Sequence, residues 1–398
     1  MASTKDLRAA IEQELPSLLE IRHDLHAHPE LKYEEQRTSG VVKHELDKAG
    51  ISYKGGLAGG TGVLGFIPGK DEARCVALRA DMDALPILEQ TDLPYASREA
   101  GKMHACGHDG HTTILLGASR VLRHISEGEG LPRPVKLFFQ PAEEGGAGGE
   151  RMVNEGCLGG NVIGPSVTEM YGLHGWPELE LGKVSTKPGA LLAATDAFTI
   201  RIQGEMCHAA APHLGRDPVV AGAQVVTALQ TIVSRNVHPV DPIVVSVAKF
   251  HAGTAYNVLP DEAVLEGTMR TLSPETRVFG KRRIYDIAGA QARVMGCKAE
   301  IEWRDGYPVT VNDTGAVERF FGVARDVVGK NNAPVFERPA MVGEDFSYYG
   351  KQVPACFFLL GQAKSSRDAY PGLHTPTFDF NDDAIALGVE LFCRLALM

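Results

Sequence analysis

Residues 135–146 read VKLFFQPAEEGG, and the fold follows from them. Val135–Gln140 is a short, mostly apolar run stopped by Pro141, the pattern of a strand buried on both faces rather than one. Glu143 and Glu144 leave that strand and glycines follow. Upstream, Gly62–Ile67 and Arg74–Ala80 are apolar runs ended by turn residues, and Thr112–His124 reads as a helix. Downstream, Val167–His174 is another strand. At the N-terminus Leu7, Ile11, Leu15, Leu18, Ile21 and Leu25 recur every three or four residues, a helical stripe expected to stop near Pro29. Strands alternating with helices imply an α/β layer with a largely parallel central sheet, whose chemistry gathers at the carboxyl ends of the strands.

The pattern changes after Pro188. Asp196–Gln203 alternates as a strand, Pro218–Val233 reads as a helix, Ile243–Phe250 and Ala263–Arg270 as strands, Glu275–Val294 as a helix and Lys298–Arg304 as a strand. That order, β-α-β-β-α-β, is the split unit of ferredoxin-like α+β domains. The α/β pattern resumes near Asn312, with a helix over Gly315–Val328, a strand at Ala355–Leu360 and a closing helix after Asp382. The expected organisation is a catalytic domain (1–187 and 307–398) interrupted by an inserted domain (188–306).

A formal net charge of -10 without any Lys/Arg block leaves no basic face for nucleic acid. The N-terminus is acidic and amphipathic, unlike a signal peptide, and no apolar stretch reaches membrane-spanning length. Seven cysteines without paired spacing point to a reducing, cytoplasmic setting, six of them serving as buried filler. Cys106 is the exception.

It lies in HACGHDGH, residues 104–111, where four metal-capable side chains precede a helix. Thiolate and imidazole suit zinc and other borderline metals, with manganese, cobalt and nickel also compatible with Cys/His/Glu sets. Of the pair Glu143 and Glu144, one carboxylate can ligate metal while its neighbour takes a proton from water; a solvated acidic turn is the competing reading. His174 in YGLHGWP and His374 in GLHTP are each, alone, as compatible with a structural role. Together, Cys106, His108, Glu144, His174 and His374 make five donors, too many for one open tetrahedral site and suited to two ions. Asp81 and Asp83 in RADMDALP either support ligand imidazoles or lie on the surface. His208 in CHAAAPH is a candidate donor to an oxyanion. For Asn257 and Arg270, a turn Asn and a surface Arg are the simpler readings, although Arg can grip a substrate carboxylate with two hydrogen bonds.

RADMDALP, HACGHDGHT, FQPAEEG, LHGWP, HAAAPH, VGEDFSYY and LHTPTFDFNDD, in this order from about His23 to Asp383, resemble the amidohydrolases that include hippurate hydrolase, N-acyl-L-amino acid amidohydrolase and the auxin-conjugate (indole-3-acetyl-amino acid) hydrolases. These sit within the aminoacylase and glutamate-carboxypeptidase metallopeptidase group. The resemblance implies a zinc-peptidase-like catalytic domain and an inserted lid that also dimerises, giving a homodimer or higher homo-oligomer. It implies that Cys106, His108, Glu144, His174 and His374 hold two divalent ions and that Glu143 is the general base. His208 would reach the partner's active site, and Asn257, Arg270 and Gly343 would hold the substrate's carboxylate. The implied reaction cleaves an N-acyl amino acid to a carboxylic acid and an amino acid. An N-acetyldiaminopimelate-type deacetylase, a dipeptidase and a non-catalytic metal- or ligand-binding relative are the alternatives. Gly204-Glu205-Met206-Cys207 departs from the glycines and basic residue usual before the lid histidine, and Glu150 replaces a small residue.

Overall fold

A computed structural model describes residues 4–364 and 370–398. Its strands are β1 (Ser52–Leu57), β2 (Gly62–Ile67), β3 (Cys75–Asp81), β4 (Val135–Gln140), β5 (Val167–Glu180), β6 (Val184–Ser185), β7 (Ala194–Gln203), β8 (Ile243–Ala252), β9 (Glu262–Thr271), β10 (Lys298–Asp305) and β11 (Ala355–Ala363), with a few two- to four-residue strands besides. The longer helices are α1 (Thr4–Ala27), α2 (Gln36–Lys48), α3 (His108–Gly128), α4 (Pro218–Thr231), α5 (Pro274–Val294), α6 (Thr314–Val328) and α7 (Ile385–Ala396).

These divide into two compact units. The first takes in Met1–Leu191, Val311–Arg338 and Asp345–Met398; the second, Leu192–Thr310 and Pro339–Glu344. In the first, seven strands run β1-β2-β4-β3-β5-β11-β6. The four central ones, β4, β3, β5 and β11, are mutually parallel, and antiparallel pairs flank them. Every residue of β3, β4 and β11 is buried, which is why these strands read as continuous apolar runs. Helix α3 lies on β3, and α1 and α7 pack on α3. Leu18, Leu25, Ile114, Leu122 and Val389 fill the space with no exposed area beyond 2%.

In the second unit the sheet order is β8-β9-β7-β10, all antiparallel, with α4 and α5 packed on it. This is the ferredoxin-like order. Along β7 buried and part-exposed residues alternate, Phe198, Ile200 and Ile202 facing the core, because only one sheet face is covered. Both helices start on strong caps. Asp217 accepts from the backbone of Val219 and Val220 ahead of Pro218, and Ser273 accepts from Thr276 ahead of Pro274.

Two readings of the sequence change. Strand β5 does not stop at His174 but continues to Glu180, because β11 pairs with it in parallel register from Ala355 opposite Met170 through Gly361 opposite Trp176. His174 is therefore an interior strand residue, opposite Leu359. Gly343 lies in Pro339–Glu344, which packs with the second unit after the chain has already returned to the first. The backbone of Ala193 donates there to the carbonyls of Ala340 and Val342.

Candidate metal centre

The carboxyl ends of β3 and β4, the start of α3 and the interior of β5 bring the expected donors of the first unit together. Gly107 caps α3 with φ +85°, a left-handed turn that a side chain would resist, and it sets Cys106 and His108 on either side of itself. Cys106 Sγ lies 3.3 Å from His174 Nε2 and 3.3 Å from His374 Nε2. His374 Nε2 is 3.1 Å from Glu144 Oε1, though outside hydrogen-bond geometry. Two donor triples result, Cys106/His108/His174 and Cys106/Glu144/His374, and Cys106 belongs to both. His108, Glu143 and Glu144 form a third such group.

The ring orientations fit a cation. His108 Nδ1 donates to the carbonyl of Asp83 at 2.7 Å, and His174 Nδ1 to that of Gly175 at 2.7 Å. Each ring is thereby left with Nε2 for the centre. His108 Nε2 and Glu144 Oε1 are buried and make no hydrogen bond. Buried polar atoms almost always find partners, so two such orphans facing the same donors fit a metal site.

The electrostatics agree. Burial opposes charge on His108, yet Asp81 and Asp83 pull it up to about 10, so a proton balances the carboxylates in the absence of a cation. Burial, helped by Glu144 and Glu143, pushes the Cys106 thiol far up, and a divalent ion would reverse that bias. Burial, with His111 beside it, holds His174 well below the ordinary histidine value, the neutral state that coordination needs.

Asp81 and Asp83 are both buried, and they do different work. The Asp83 carboxylate accepts from the backbone of Glu143 at 2.8 Å and Glu144 at 2.9 Å, fixing a turn that begins at Ala142 with φ +55°. Asp81 takes Arg79 Nη1 at 2.7 Å and His111 Nδ1 at 2.7 Å. His111, metal-capable in sequence, accepts at Nε2 from the backbone of Gly175 at 2.8 Å, so the ring steadies the strand beside His174. Asp345, within VGEDFSYY, had no role in the sequence reading. Its carboxylate gathers Arg79, Gln140 and the backbone of Gly149, and its own N–H reaches Glu143 Oε1 at 3.3 Å. No spacing signal announces such a contact, because the residues lie far apart in the chain.

In the second unit, His208 is exposed in a two-residue strand opposite Val258, and the N–H of Ala209 donates to the carbonyl of Asn257. The N–H of Ala210 donates to His208 Nδ1 at 3.0 Å, so the neutral ring carries its proton on Nε2. Asn257 is exposed. Arg270 is half-buried and, among the described residues, bonds Thr268 Oγ1 and the carbonyls of Asp196 and Met269. Arg277 takes both carboxylate oxygens of Asp196, at 2.7 and 2.8 Å, leaving Arg270 with no carboxylate partner among the described residues. Gly343 meets Thr195, the residue opposite Arg270 in the β7–β9 ladder; a Cβ on Gly343 would lie 2.2 Å from Thr195 Cγ2.

Comparison with known proteins places this arrangement. Residues 77–398 match the model of peptidase family M20/M25/M40. The chain is 40% identical over 369 residues to N-acetyl-L-cysteine deacetylase of Bacillus subtilis, covering 92% of this chain and 84% of that one. It is 41% identical over 380 residues to IAA-amino acid hydrolase ILR1-like 5 of Arabidopsis thaliana, covering 94% and 85%. With hippurate hydrolase of Campylobacter jejuni it shares 36% over 380 residues, 95% of either chain. A solved Bacillus subtilis structure described as a dinuclear metal binding peptidase of family M20 superposes with TM-score 0.82 at 32% identity, covering 99% and 98%. The chain therefore belongs to peptidase family M20/M25/M40 and is a hydrolase of amide bonds.

Proposed function

We propose that this protein is a two-metal amidohydrolase that splits N-acyl amino acids into a carboxylic acid and a free amino acid. The observation that carries this reading is the pair of donor triples joined at Cys106, with the Glu143 carboxylate directly beside them. Cys106, His108, Glu144, His174 and His374 would hold the ions, zinc and manganese being the first candidates and cobalt and nickel also compatible. Bound ions supply Lewis acidity to the amide carbonyl and lower the pKa of water at the site.

The protein's own groups do the rest. Glu143 takes the proton from water and delivers it to the leaving nitrogen. His208, with its proton held on Nε2, donates to the oxyanion. Arg270, half-buried and without a carboxylate partner among the described residues, receives the substrate's carboxylate, with Asn257 and the Gly343 backbone alongside. The inserted unit serves as lid and dimerisation surface of a cytoplasmic homodimer. The names of the relatives span acetyl, indoleacetyl and hippurate conjugates, which share an amino acid carboxylate and differ in the acyl group. Free choice of acyl group with a fixed carboxylate is therefore the expected specificity. The test pairs metal analysis with a hydrolysis screen of acetyl-, benzoyl-, long-chain acyl- and indoleacetyl-amino acids. Glu143→Gln should keep its metal and lose nearly all turnover; normal turnover in that variant would remove Glu143 from the mechanism.

A further inference from the structure

Helix α1 contributes nothing to the donor set, yet it sends a fully buried arginine into the loop that carries His374. Arg22 has no exposed side-chain area. Its Nη2 donates to Asp379 Oδ1 at 2.5 Å and to the carbonyl of Phe380 at 2.6 Å. Its Nε sits 2.9 Å from Asp382 Oδ1, at an angle that makes an ion pair rather than a hydrogen bond. Tyr95 closes the arrangement: its ring lies under the guanidinium, 4.6 Å from ring centroid to Cζ, and its hydroxyl donates to Asp379 Oδ2 at 2.9 Å.

The other end of this loop is the metal-ligand end. His374 has φ +61°, an unfavourable conformation for a side chain with Cβ, and its N–H donates to the carbonyl of Ala105, next to Cys106. Between the two ends Phe380 is wedged so tightly on α3 that a Cβ on Gly110 would come within 2.4 Å of its ring. A strained residue persists only where its surroundings hold it. Here the Ala105 carbonyl holds His374 directly, and the buried charge of Arg22 holds residues 379–382 further along the same loop.

We infer that Arg22 is a positioning residue for the second ion: it pins residues 379–382, and through them the backbone of His374, against the start of α3. The inference rests on the two-ion reading above. It assigns Arg22 to the triple Cys106/Glu144/His374 rather than to Cys106/His108/His174: toward the latter its nearest approach is Nε to Asp109 Oδ2 at 3.9 Å, beside His108, and His26 Nδ1 already holds that carboxylate at 2.8 Å. Disturbing groups that orient a ligand usually weakens metal binding about 10–100-fold.

The experiment titrates metal-free, full-length protein with cobalt(II) against a competing chelator and counts bound ions by mass spectrometry. In Arg22→Lys, which keeps the charge and loses the fork, one binding step should weaken about 10–100-fold and the other stay as in the wild type. The same step should be lost in His374→Ala, and adding Arg22→Lys to His374→Ala should leave the remaining step unmoved. Equal weakening of both steps, no weakening, or a further loss in the double variant would overturn the inference. If circular dichroism shows Arg22→Lys unfolded, Tyr95→Phe decides, since it keeps the ring and removes only the hydroxyl, which donates to Asp379 and accepts from Arg22 Nη2 at 3.4 Å. A smaller shift confined to the same step supports the role, and an unchanged titration overturns it. Wild-type protein that takes up fewer than two cobalt ions would overturn the two-ion reading and this inference together; two ions with unaltered variants would overturn this inference alone.

Discussion

Asp83→Asn changes one oxygen for an amide nitrogen without changing size, and its effect can be worked out from two distances. The carboxylate accepts from Glu143 N at 2.8 Å and from Glu144 N at 2.9 Å, in a fully buried side chain. Asparagine can serve only one of these donors; its NH2 would face the other donor to donor. A hydrogen bond to a charged group contributes about 1.5–3 kcal/mol, and a neutral acceptor is roughly half as strong. Losing one bond and halving the other costs about 2–4 kcal/mol. His108 keeps its bond to the Asp83 carbonyl but loses the carboxylate charge 3.4 Å from its Nδ1. The loss should appear in urea unfolding of chelator-treated protein, where bound ions cannot mask it. Because the same turn aims Glu143, turnover should fall by about 100-fold, the usual consequence of an ångström-scale misplacement. A stability change below about 0.5 kcal/mol would show that Asp83 does not hold the turn.

Three further outcomes are expected. Cys106→Ala removes the donor common to both triples and should leave less than one ion per chain by elemental analysis; two retained ions would exclude the thiol as a ligand. Burial, with the charge of Asp83 adding to it, lifts Glu35 from 4.5 to about 7, so the folded chain keeps a proton that the unfolded chain releases. Stability should therefore fall as pH rises from about 4.5 to 7. Glu35→Gln, which still offers an acceptor to the N–H of Ala142, should abolish that slope, gaining roughly 3 kcal/mol over the wild type between pH 4 and 8. A gap between the two proteins that is constant across urea titrations at those pH values would contradict it. Gly343→Ala drives a methyl into Thr195 and should cost about 1–3 kcal/mol in thermal or urea unfolding. Thr195→Ser, which removes Cγ2 and keeps the hydroxyl that accepts from Tyr307, should rescue it, and absence of rescue would locate the cost elsewhere.

Legibility in the sequence followed burial. Strand β4 is found with its exact ends because a fully buried parallel strand advertises itself as an apolar run. Helix α2 left little trace: its inward face is Thr38, Ser39, Val42, Glu45 and Leu46, of which only two are apolar. The extension of β5 depends on a partner strand almost two hundred residues later, which no local pattern records. At the candidate site, Cys106, His108 and Glu144 stood out by residue type and company, whereas His174 and His374, each isolated in its stretch, joined them only by ligand counting and family resemblance. What those donors lean on did not stand out. Asp81 and Asp83 are two residues apart and chemically alike; only the fold separates the one that bonds His111 from the one that bonds the Glu143 turn. Arg22 and Asp345 were equally silent, being ordinary charged residues until the chain brings them to opposite charges at zero exposure.

The place of β11 in the sheet has a consequence during synthesis. This strand belongs between β5 and β6, yet it is translated only after the whole of Leu192–Thr310 has left the ribosome. Until then the inner edge of β5, meant for the middle of the molecule, has unpaired amides and a bare apolar surface. The ferredoxin-like insert, by contrast, has all four of its strands within 194–305 and can pair them early. A nascent chain would thus hold one body lacking only Pro339–Glu344 and one still open along the middle of its sheet.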